Sequence, residues 1–517
     1  MIFTVAIVIG LVFVSGARLS MADSPRTSVF ISDLHMGLGK DANGAWYSTE
    51  DFRWPKALEG FLDHISQVGN GAVDLVIVGD FLELWQPPPT VSCEGPNKDY
   101  GCNLQEITEI VRAVIEGHRR ELQALAAFSR KGSNCVHVIP GNHDAALVID
   151  GIWSLVAEAL ESDRGCVTRA KDGTWVSEDG RVVAEHGHQI GWDPNRYGEW
   201  PSVSKDFNGN TYLRRPWGEQ FVQKIFNDAE AEYGLIDNLS PLSAGVKYRV
   251  KDRGVGATAW DVARFLSFNL LETSIRQKIA ILGERDDEQT PPEWDIAAAR
   301  LLGSALFAGA LAADDELATA LADSDANKDL RDALNRLVGD EKELSDEAVL
   351  ALCDQLAARK ADPLCPTVRR PTLGALVEKA VSSRRRVVAP YVEKRWEKLS
   401  AMRVFVYGHT HAFETEWDVP ISSRVSVSVL NDGAFQRVID NEKFRDTARK
   451  AGMTPSEALR NLGLETLPAC YTFVTIVEAA NGGHTRELKA WYAPESEVGQ
   501  ITDVCDPRCA DVGHGCS

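Results

Sequence analysis

The chain has 517 residues, of which 44% are hydrophobic and 25% are charged. This composition is typical of a globular protein with a large core, and it excludes a wholly disordered chain. The net charge of −20 disfavours nucleic acid as the main partner, because a polyanion is repelled at long range, but it permits a small anionic substrate held by metals or local basic side chains.

The chain begins with an apolar, uncharged run over residues 1–17. This run is too short for a stable membrane span, and its length is typical of a secretory signal, so we interpret residues 1–22 as a signal peptide. The alternative is a cytoplasmic protein whose translation starts at Met21, since no basic residue precedes the apolar run.

Ten cysteines bear on the same question. Cys93 and Cys102 flank a short polar loop, Cys353 and Cys365 are similarly spaced, and three more lie in a tail over residues 499–517. Such spacing favours disulfides and therefore an oxidising compartment, which predicts a periplasmic or secreted protein.

Five short apolar runs end in polar side chains that can bind metals or move protons. A helical segment over residues 106–129 separates the second run from the third, and strands that alternate with helices predict an α/β sheet. Ligand sites in such sheets lie at the carboxyl ends of the strands, so we expect the polar ends to meet at one edge. In chain order they carry Asp33 and His35; Asp80; Asn142, His143 and Asp144; His186 and His188; and His409 and His411.

The segment between the fourth run and the fifth differs from the rest of the chain in composition. Residues 215–400 are rich in Ala, Leu, Asp and Glu, and they contain a capping box at Thr290 and Glu293, which predicts a mainly helical insertion that serves as a lid or an oligomer surface. Its basic end, residues 369–398, is interpreted as a solvated helix face or as a surface that steers an anionic substrate. The flanking parts, residues 23–214 and 401–498, are predicted to form one domain, with a helix that begins after Thr454.

The ordered blocks D-x-H, G-D, G-N-H-D, H-G-H and G-H-T-H resemble those of the calcineurin-like metallophosphoesterases, over about residues 23–200 and 401–495. The resemblance implies an αββα sandwich of two mixed sheets and the hydrolysis of a phosphate mono- or diester by a hydroxide that bridges two divalent metal ions. It also implies that one ion is held by Asp33, His35, Asp80 and His411, and the other by Asp80, Asn142, His186 and His409.

The residue types are suited to that chemistry. Two divalent ions about 3.5–4 Å apart hold the attacking and the departing oxygen of an in-line displacement at phosphorus. Carboxylate and imidazole ligands permit Mn, Fe or Zn without deciding among them. His143 is interpreted as the group that protonates the departing oxygen and Asp144 as the group that orients His143. The family pattern matches His186 as the ligand, with His188 as the open alternative.

Departures from the family's sequence pattern narrow the range of possible substrates. Glu83 stands where purple acid phosphatases have a tyrosine ligand, and the blocks look more like bacterial phosphoesterases related to UDP-diacylglucosamine diphosphatase than like protein phosphatases. The loop over residues 188–197 is interpreted as a surface loop, or as a phosphate contact through Asn195 or Arg196. Two alternatives to a small-molecule esterase remain open: a non-catalytic binding protein that retains the fold, and a nuclease.

Overall fold

The structure, a computed structural model, describes residues 26–191, 193, 195–240, 244–245, 248–249, 384–478, 483–495 and 497–509. The strands in chain order are β1 Thr27–Ile31, β2 Val73–Val78, β3 Tyr100–Asn103, β4 Cys135–Ile139, β5 Cys166–Arg169, β6 Thr174–Val176, β7 Val182–Glu185, β8 Ser204–Phe207, β9 Asn210–Arg214, β10 Leu239–Ser240, β11 Val404–Tyr407, β12 Glu414–Ser422, β13 Val425–Asn431, β14 Ile439–Asp440, β15 Cys470–Glu478, β16 His484–Tyr492 and β17 Gln500–Asp503.

The helices lie between these strands and at the margins of the insertion. They are α1 Pro55–Val68, α2 Leu104–Gly117, α3 Arg119–Ser129, α4 Asp150–Ala159, α5 Trp217–Phe221, α6 Asn227–Glu232, α7 Arg384–Lys398, α8 Asn441–Lys450 and α9 Pro455–Asn461. Short 3-10 turns occur at Ala145–Val148 and Leu464–Thr466, and a π-helical turn occurs at Val222–Phe226. The capping box predicted at Thr454 is present at the start of α9.

Two mixed sheets form the centre of the molecule. One has seven strands in the order β17-β16-β15-β1-β2-β4-β5, and the other has five in the order β12-β13-β11-β7-β6. Strands β1, β2, β4 and β5 run parallel to one another, as do β7, β11 and β13. Phe30 and Val76 of the first sheet pack with Val406 and Leu430 of the second in one apolar layer. The predicted sandwich of two mixed sheets is confirmed.

Helices cover the outer faces of both sheets. In β2, Leu75 and Ile77 join the core beneath the helices, whereas Val76 and Val78 face the opposite sheet, because successive side chains of a strand point to opposite sides. A strand buried on both faces reads as a continuous apolar run, as the sequence of β2 does. On the other side, Val388 of α7 packs against the five-stranded sheet.

Both halves of the chain contribute to each sheet. Strand β11 lies parallel to β7 and pairs Val404 with Val182, and β15 lies antiparallel to β1. The carboxyl ends of β1, β2, β4, β7 and β11 therefore open onto the same edge of the sandwich, as the sequence predicted.

Much of the predicted insertion lies outside the described residues. The same is true of the predicted signal peptide at 1–22 and of the capping box at Thr290 and Glu293. The described parts of the insertion are its two ends. Helices α5 and α6 and strand β10 lie at its start, and α7 lies at its end. Strand β10 pairs with β14. None of the described helices is both long and apolar enough to cross a bilayer.

Disulfides join several described segments. The predicted bond between Cys93 and Cys102 is present, Cys135 of β4 is bonded to Cys166 of β5, and Cys470 of β15 is bonded to Cys509 of the tail. Cys353 and Cys365 lie outside the described residues. The disulfides indicate an oxidising compartment, such as the periplasm or the extracellular space.

The helix predicted over 106–129 is two helices, which meet at the buried His118. Gly117 ends α2, and a Cβ at this position would lie 2.6 Å from the Leu38 carbonyl oxygen. The Nε2 atom of His118 lies 3.2 Å from Glu50 Oε2, and its Nδ1 atom lies 3.4 Å from Glu121 Oε1. Burial alone would lower the pKa of His118, but the two carboxylates raise it to about 9.

This buried ion pair predicts a pH-dependent stability. The protonated imidazole stabilises the folded chain fully below its unfolded pKa of about 6.5, and this contribution is lost as the pH rises through about 9. We expect His118→Gln to lower the free energy of unfolding by about 3 kcal/mol more at pH 6 than at pH 10, measured by urea denaturation. His64→Gln is the control, because burial lowers the pKa of His64. An equal loss at both pH values for His118→Gln would contradict the ion pair.

Candidate metal centre

The loops that follow β1, β2, β4, β7 and β11 bring the seven predicted metal ligands into one cluster. The side chain of His411 is the most exposed of the four imidazoles in the cluster, at 29%. Asp33 and Asn142 are fully buried. The seven residues are Asp33, His35, Asp80, Asn142, His186, His409 and His411.

The cluster contains two groups of close donor atoms. In one, His411 Nε2 lies 3.4 Å from Asp33 Oδ1 and 3.2 Å from His35 Nε2. In the other, His186 Nε2 lies 3.0 Å from both Asp80 Oδ2 and Asn142 Oδ1. Such separations are suited to ligand atoms that share a cation.

The two groups are contiguous through their carboxylates. Asp80 Oδ2 contacts His186 and also lies 3.8 Å from His35 Nε2, which belongs to the first group. Asp33 Oδ1 lies 4.0 Å from His186 Nε2. His409 completes the second group, since one of its ring nitrogens lies within 4.8 Å of the donor atoms of Asp80 and His186.

Sharp backbone turns place these side chains. Asp33, His35, Asp80, His409 and His411 all have positive φ, between 47° and 72°, which is uncommon for residues other than glycine. Such conformations cost free energy and cluster at functional sites, where the surrounding structure maintains them. These turns directly follow β1, β2 and β11, and they direct the side chains into the shared cluster.

The glycines of the blocks are required by close packing. A Cβ at Gly79 would lie 2.4 Å from the ring of His186, and the φ of Gly79 is +88°. A Cβ at Gly141 would lie 2.2 Å from Asp80 Oδ1. These two positions of the G-D and G-N-H-D blocks therefore have no room for a side chain.

Hydrogen bonds occupy one nitrogen of each of three imidazoles. His186 Nδ1 donates to the Val78 carbonyl oxygen at 2.7 Å, His35 Nδ1 lies 3.0 Å from Glu83 Oε2, and His409 Nε2 lies 2.7 Å from Asp193 Oδ2. Imidazoles that bind metals usually donate their second N–H to a carboxylate or carbonyl in this way, which leaves the other nitrogen free.

The carboxylates are suited to cations. Asp33 Oδ1 is buried and has no hydrogen-bond partner among the described residues. Burial alone would raise the pKa of Asp33 and of Asp80, but the nearby imidazoles, His186 above all, lower both pKa values well below their ordinary range. Two ionised carboxylates, an amide oxygen and four imidazoles could hold two divalent cations.

His143 lies beside the cluster and contacts Glu83. Its Nδ1 atom lies 2.5 Å from Glu83 Oε2, and its ring stacks on Trp85 with centroids 3.9 Å apart. Glu83 is buried, and although burial alone would raise its pKa, His143 and His35 lower the pKa to about 2. One carboxylate thus contacts both a candidate ligand and the candidate acid. The sequence analysis noted Glu83 for its position after Asp80 but did not assign it this role.

Asp144 differs from the predicted arrangement. Its carboxylate accepts hydrogen bonds from the backbone amides of Gly141 at 2.6 Å, Phe81 at 2.9 Å and Leu82 at 3.2 Å. These bonds join the loop after β2 to the loop after β4. Among the described residues, Glu83 and not Asp144 contacts the imidazole of His143 through its carboxylate. The turn after β4 directs the side chains of residues 143 and 144 to different neighbours.

The structure also distinguishes His186 from His188. His186 contacts Asp80, whereas His188 is buried against Trp200 with ring centroids 4.5 Å apart. Gly187, with a φ of +116°, separates the two. The geometry favours His186 as the ligand.

Several supporting residues were not identified from the sequence. Asp193 contacts His409 and is only 6% exposed, although its loop was interpreted as a surface loop. Asn431 donates to the Gly408 carbonyl oxygen at 3.2 Å, and the Gln436 amide nitrogen lies 3.0 Å from His411 Nδ1. The N-D-G sequence at residues 431–433 is typical of a turn and is the sequence signal that points to this loop.

Comparison with known proteins agrees with this geometry. The model of the calcineurin-like phosphoesterase family matches residues 27–261, which include the loops after β1, β2, β4 and β7. No curated protein and no solved structure matches the chain. The loop that carries His409 and His411 follows the matched range and joins the cluster because β11 pairs with β7. Residues 27–261 are therefore a calcineurin-like phosphoesterase domain, which implies a metal-dependent hydrolase of phosphoric esters.

Proposed function

We propose that this protein hydrolyses a phosphate mono- or diester with two divalent cations bound in the cluster. Asp80 is shared between the cations, and Asp33, His35 and His411 complete one set of ligands. Asn142, His186 and His409 complete the other. The proposal is carried by the convergence of all seven side chains, with Asp80 Oδ2 between His186 at 3.0 Å and His35 at 3.8 Å.

When bound, two such cations polarise the phosphoryl group and lower the pKa of a nearby water. The chain itself positions the proton donor. Because Glu83 accepts the hydrogen bond from Nδ1 of His143, the Nε2 atom of His143 is available to protonate the departing oxygen. Glu83 holds the ring in place. Asp144 contributes by joining the loops that carry Asp80 and His143.

The proposal extends to substrate, metals and location. The net charge of −20 favours a small phosphate ester over nucleic acid. The ligand set suits Mn, Fe or Zn. The apolar start of the sequence and the disulfides support export to the periplasm or beyond the cell, with residues 1–22 as a signal peptide.

Turnover with added metal tests the proposal directly. We expect the purified chain with Mn²⁺ to hydrolyse p-nitrophenyl phosphate or its bis ester, and chelation to abolish the activity. Asp80→Asn should lower both the activity and the metal content, measured by mass spectrometry, because Asp80 is shared. Asp74→Asn is the control, since Asp74 lies in β2, the strand that precedes Asp80, but pairs with Arg26. If neither ester is hydrolysed with any divalent metal, the proposal fails.

The role of His143 predicts a dependence on the leaving group. We expect His143→Gln to lower kcat for an alkyl phosphate by about 10²–10⁴-fold, because an alkoxide needs a proton to depart. The loss should be much smaller for p-nitrophenyl phosphate, whose leaving group is stable as an anion. Metal content should not change. An equal loss on both substrates would show that His143 does not act as the acid.

A further inference from the structure

Three carboxylates outside the proposed metal ligands form a second group, in which two residues are buried and Asp237 is half-buried. Asp51 precedes α1, Glu230 lies in α6, and Asp237 precedes β10. One oxygen of each lies within 4.8 Å of the others. Asp51 is 8% exposed and Glu230 is 1% exposed, so water solvates neither carboxylate well.

The charged groups around these carboxylates do not neutralise them. After burial, the strongest influence on the pKa of Asp51 is the carboxylate of Asp237, followed by His35, which lowers it, and Glu50, which raises it. For Glu230 the strongest influences after burial are the carboxylates of Asp237, Asp51 and Glu83. The positive groups that act on the three are the imidazoles of His35 and His411. Burial and mutual repulsion raise the pKa of Asp51 and Glu230 well above the ordinary range. Such a group needs either protons or a bound cation to offset the repulsion.

Two buried amides at the group favour a cation. Gln86 is 8% exposed, and its Nε2 atom donates to Glu230 Oε2 at 2.7 Å, which places the amide at the group. Asn238 is 1% exposed, and its Nδ2 atom lies 3.4 Å from Asp51 Oδ1. Among the described residues, neither Gln86 Oε1 nor Asn238 Oδ1 has a hydrogen-bond partner.

Unpartnered oxygens of this kind are unusual. A buried carbonyl oxygen without a partner costs free energy, because it loses its hydration and gains no hydrogen bond in return. A proton shared between the carboxylates would leave both amide oxygens unsatisfied. Rotation of an amide by 180° exchanges its oxygen and nitrogen, so each amide can direct its oxygen to the place where its nitrogen now contacts a carboxylate. For Asn238 this rotation breaks the hydrogen bond that its Nδ2 atom donates to the Arg437 carbonyl oxygen at 3.2 Å, and a cation would have to offset that loss. Asp237 Oδ1 is also buried without a described partner.

We propose that Asp51, Glu230 and Asp237, together with the amide oxygens of Gln86 and Asn238, bind a third cation, a Ca²⁺ ion. All five donors are oxygens, and Ca²⁺ takes six to eight oxygen ligands in flexible geometry, with water completing the set. The imidazoles of the dinuclear centre favour transition metals, so the two sites select different ions.

The position of the site suggests what the ion does. It joins the segment before α1, helix α6 and the segment before β10 at one point. Gln86 follows Glu83 and Trp85, which contact His143. A bound Ca²⁺ therefore stabilises the loop that holds the candidate acid, without itself contacting substrate. This inference does not depend on the proposed reaction.

Calcium binding by the full chain tests the inference. Metal-stripped protein is reloaded with two equivalents of Mn²⁺ and titrated with Ca²⁺, by calorimetry and by equilibrium dialysis with ⁴⁵Ca. We expect one Ca²⁺ per chain and a higher Tm in its presence. Glu230→Gln and Asp51→Asn should each weaken binding by about tenfold or more and remove the Tm increase. Glu121→Gln, a buried carboxyl beside His118, is the matched control and should bind Ca²⁺ normally.

The outcomes separate the inference from the dinuclear proposal. Asp80→Asn should lose Mn²⁺ and keep Ca²⁺ binding. The inference is overturned if the wild-type chain binds no Ca²⁺, a result that requires no variant to fold. It is also overturned if Glu230→Gln and Asp51→Asn, both folded by circular dichroism, bind Ca²⁺ as the wild type does. If the wild-type chain binds no Ca²⁺ and Glu230→Gln is more stable than the wild type, the group holds a shared proton in place of a cation.

Discussion

Two buried carboxylates, Asp33 and Asp80, hold the five loops of the site together. Asp33 Oδ2 accepts hydrogen bonds from the His409 backbone amide at 2.8 Å and from Ser32 Oγ at 2.5 Å. Asp80 Oδ1 accepts from the His143 backbone amide at 2.8 Å, while its other oxygen contacts His186. A buried carboxylate must be paired or hydrogen bonded, so the contacts with His409, His143 and His186 draw three other loops towards these two carboxylates.

The same principle extends outward from the cluster. Glu83 contacts His35 and His143, and Asp193 contacts His409, so each carboxylate fixes the ring of a candidate functional histidine. Fixing the ring determines which nitrogen is free, and thereby determines whether the histidine can bind a cation or donate a proton. The layer of carboxylates around the histidines therefore matters as much to the chemistry as the histidines themselves.

The acidic group at Asp51, Glu230 and Asp237 differs from this layer. Its carboxylates face one another and two amides, and the imidazoles that act on them belong to the candidate metal centre. Buried like charges raise the free energy of the fold unless something offsets them. That is the physical basis for assigning a separate cation to this part of the molecule.

The sequence by itself determined the class of fold, the resemblance to calcineurin-like phosphoesterases and the candidate donor atoms at the strand ends. It could do so because strand composition and ligand chemistry are local properties that a short segment displays. Only the tertiary structure decided that Glu83 and not Asp144 contacts His143, that His186 and not His188 faces Asp80, and that Glu230 meets Asp51. Each of these contacts joins residues that are at least 60 positions apart along the chain or depends on the direction of a side chain in a turn. Pairing between distant strands sets both the contacts between distant residues and the directions of these side chains. No short segment encodes that pairing.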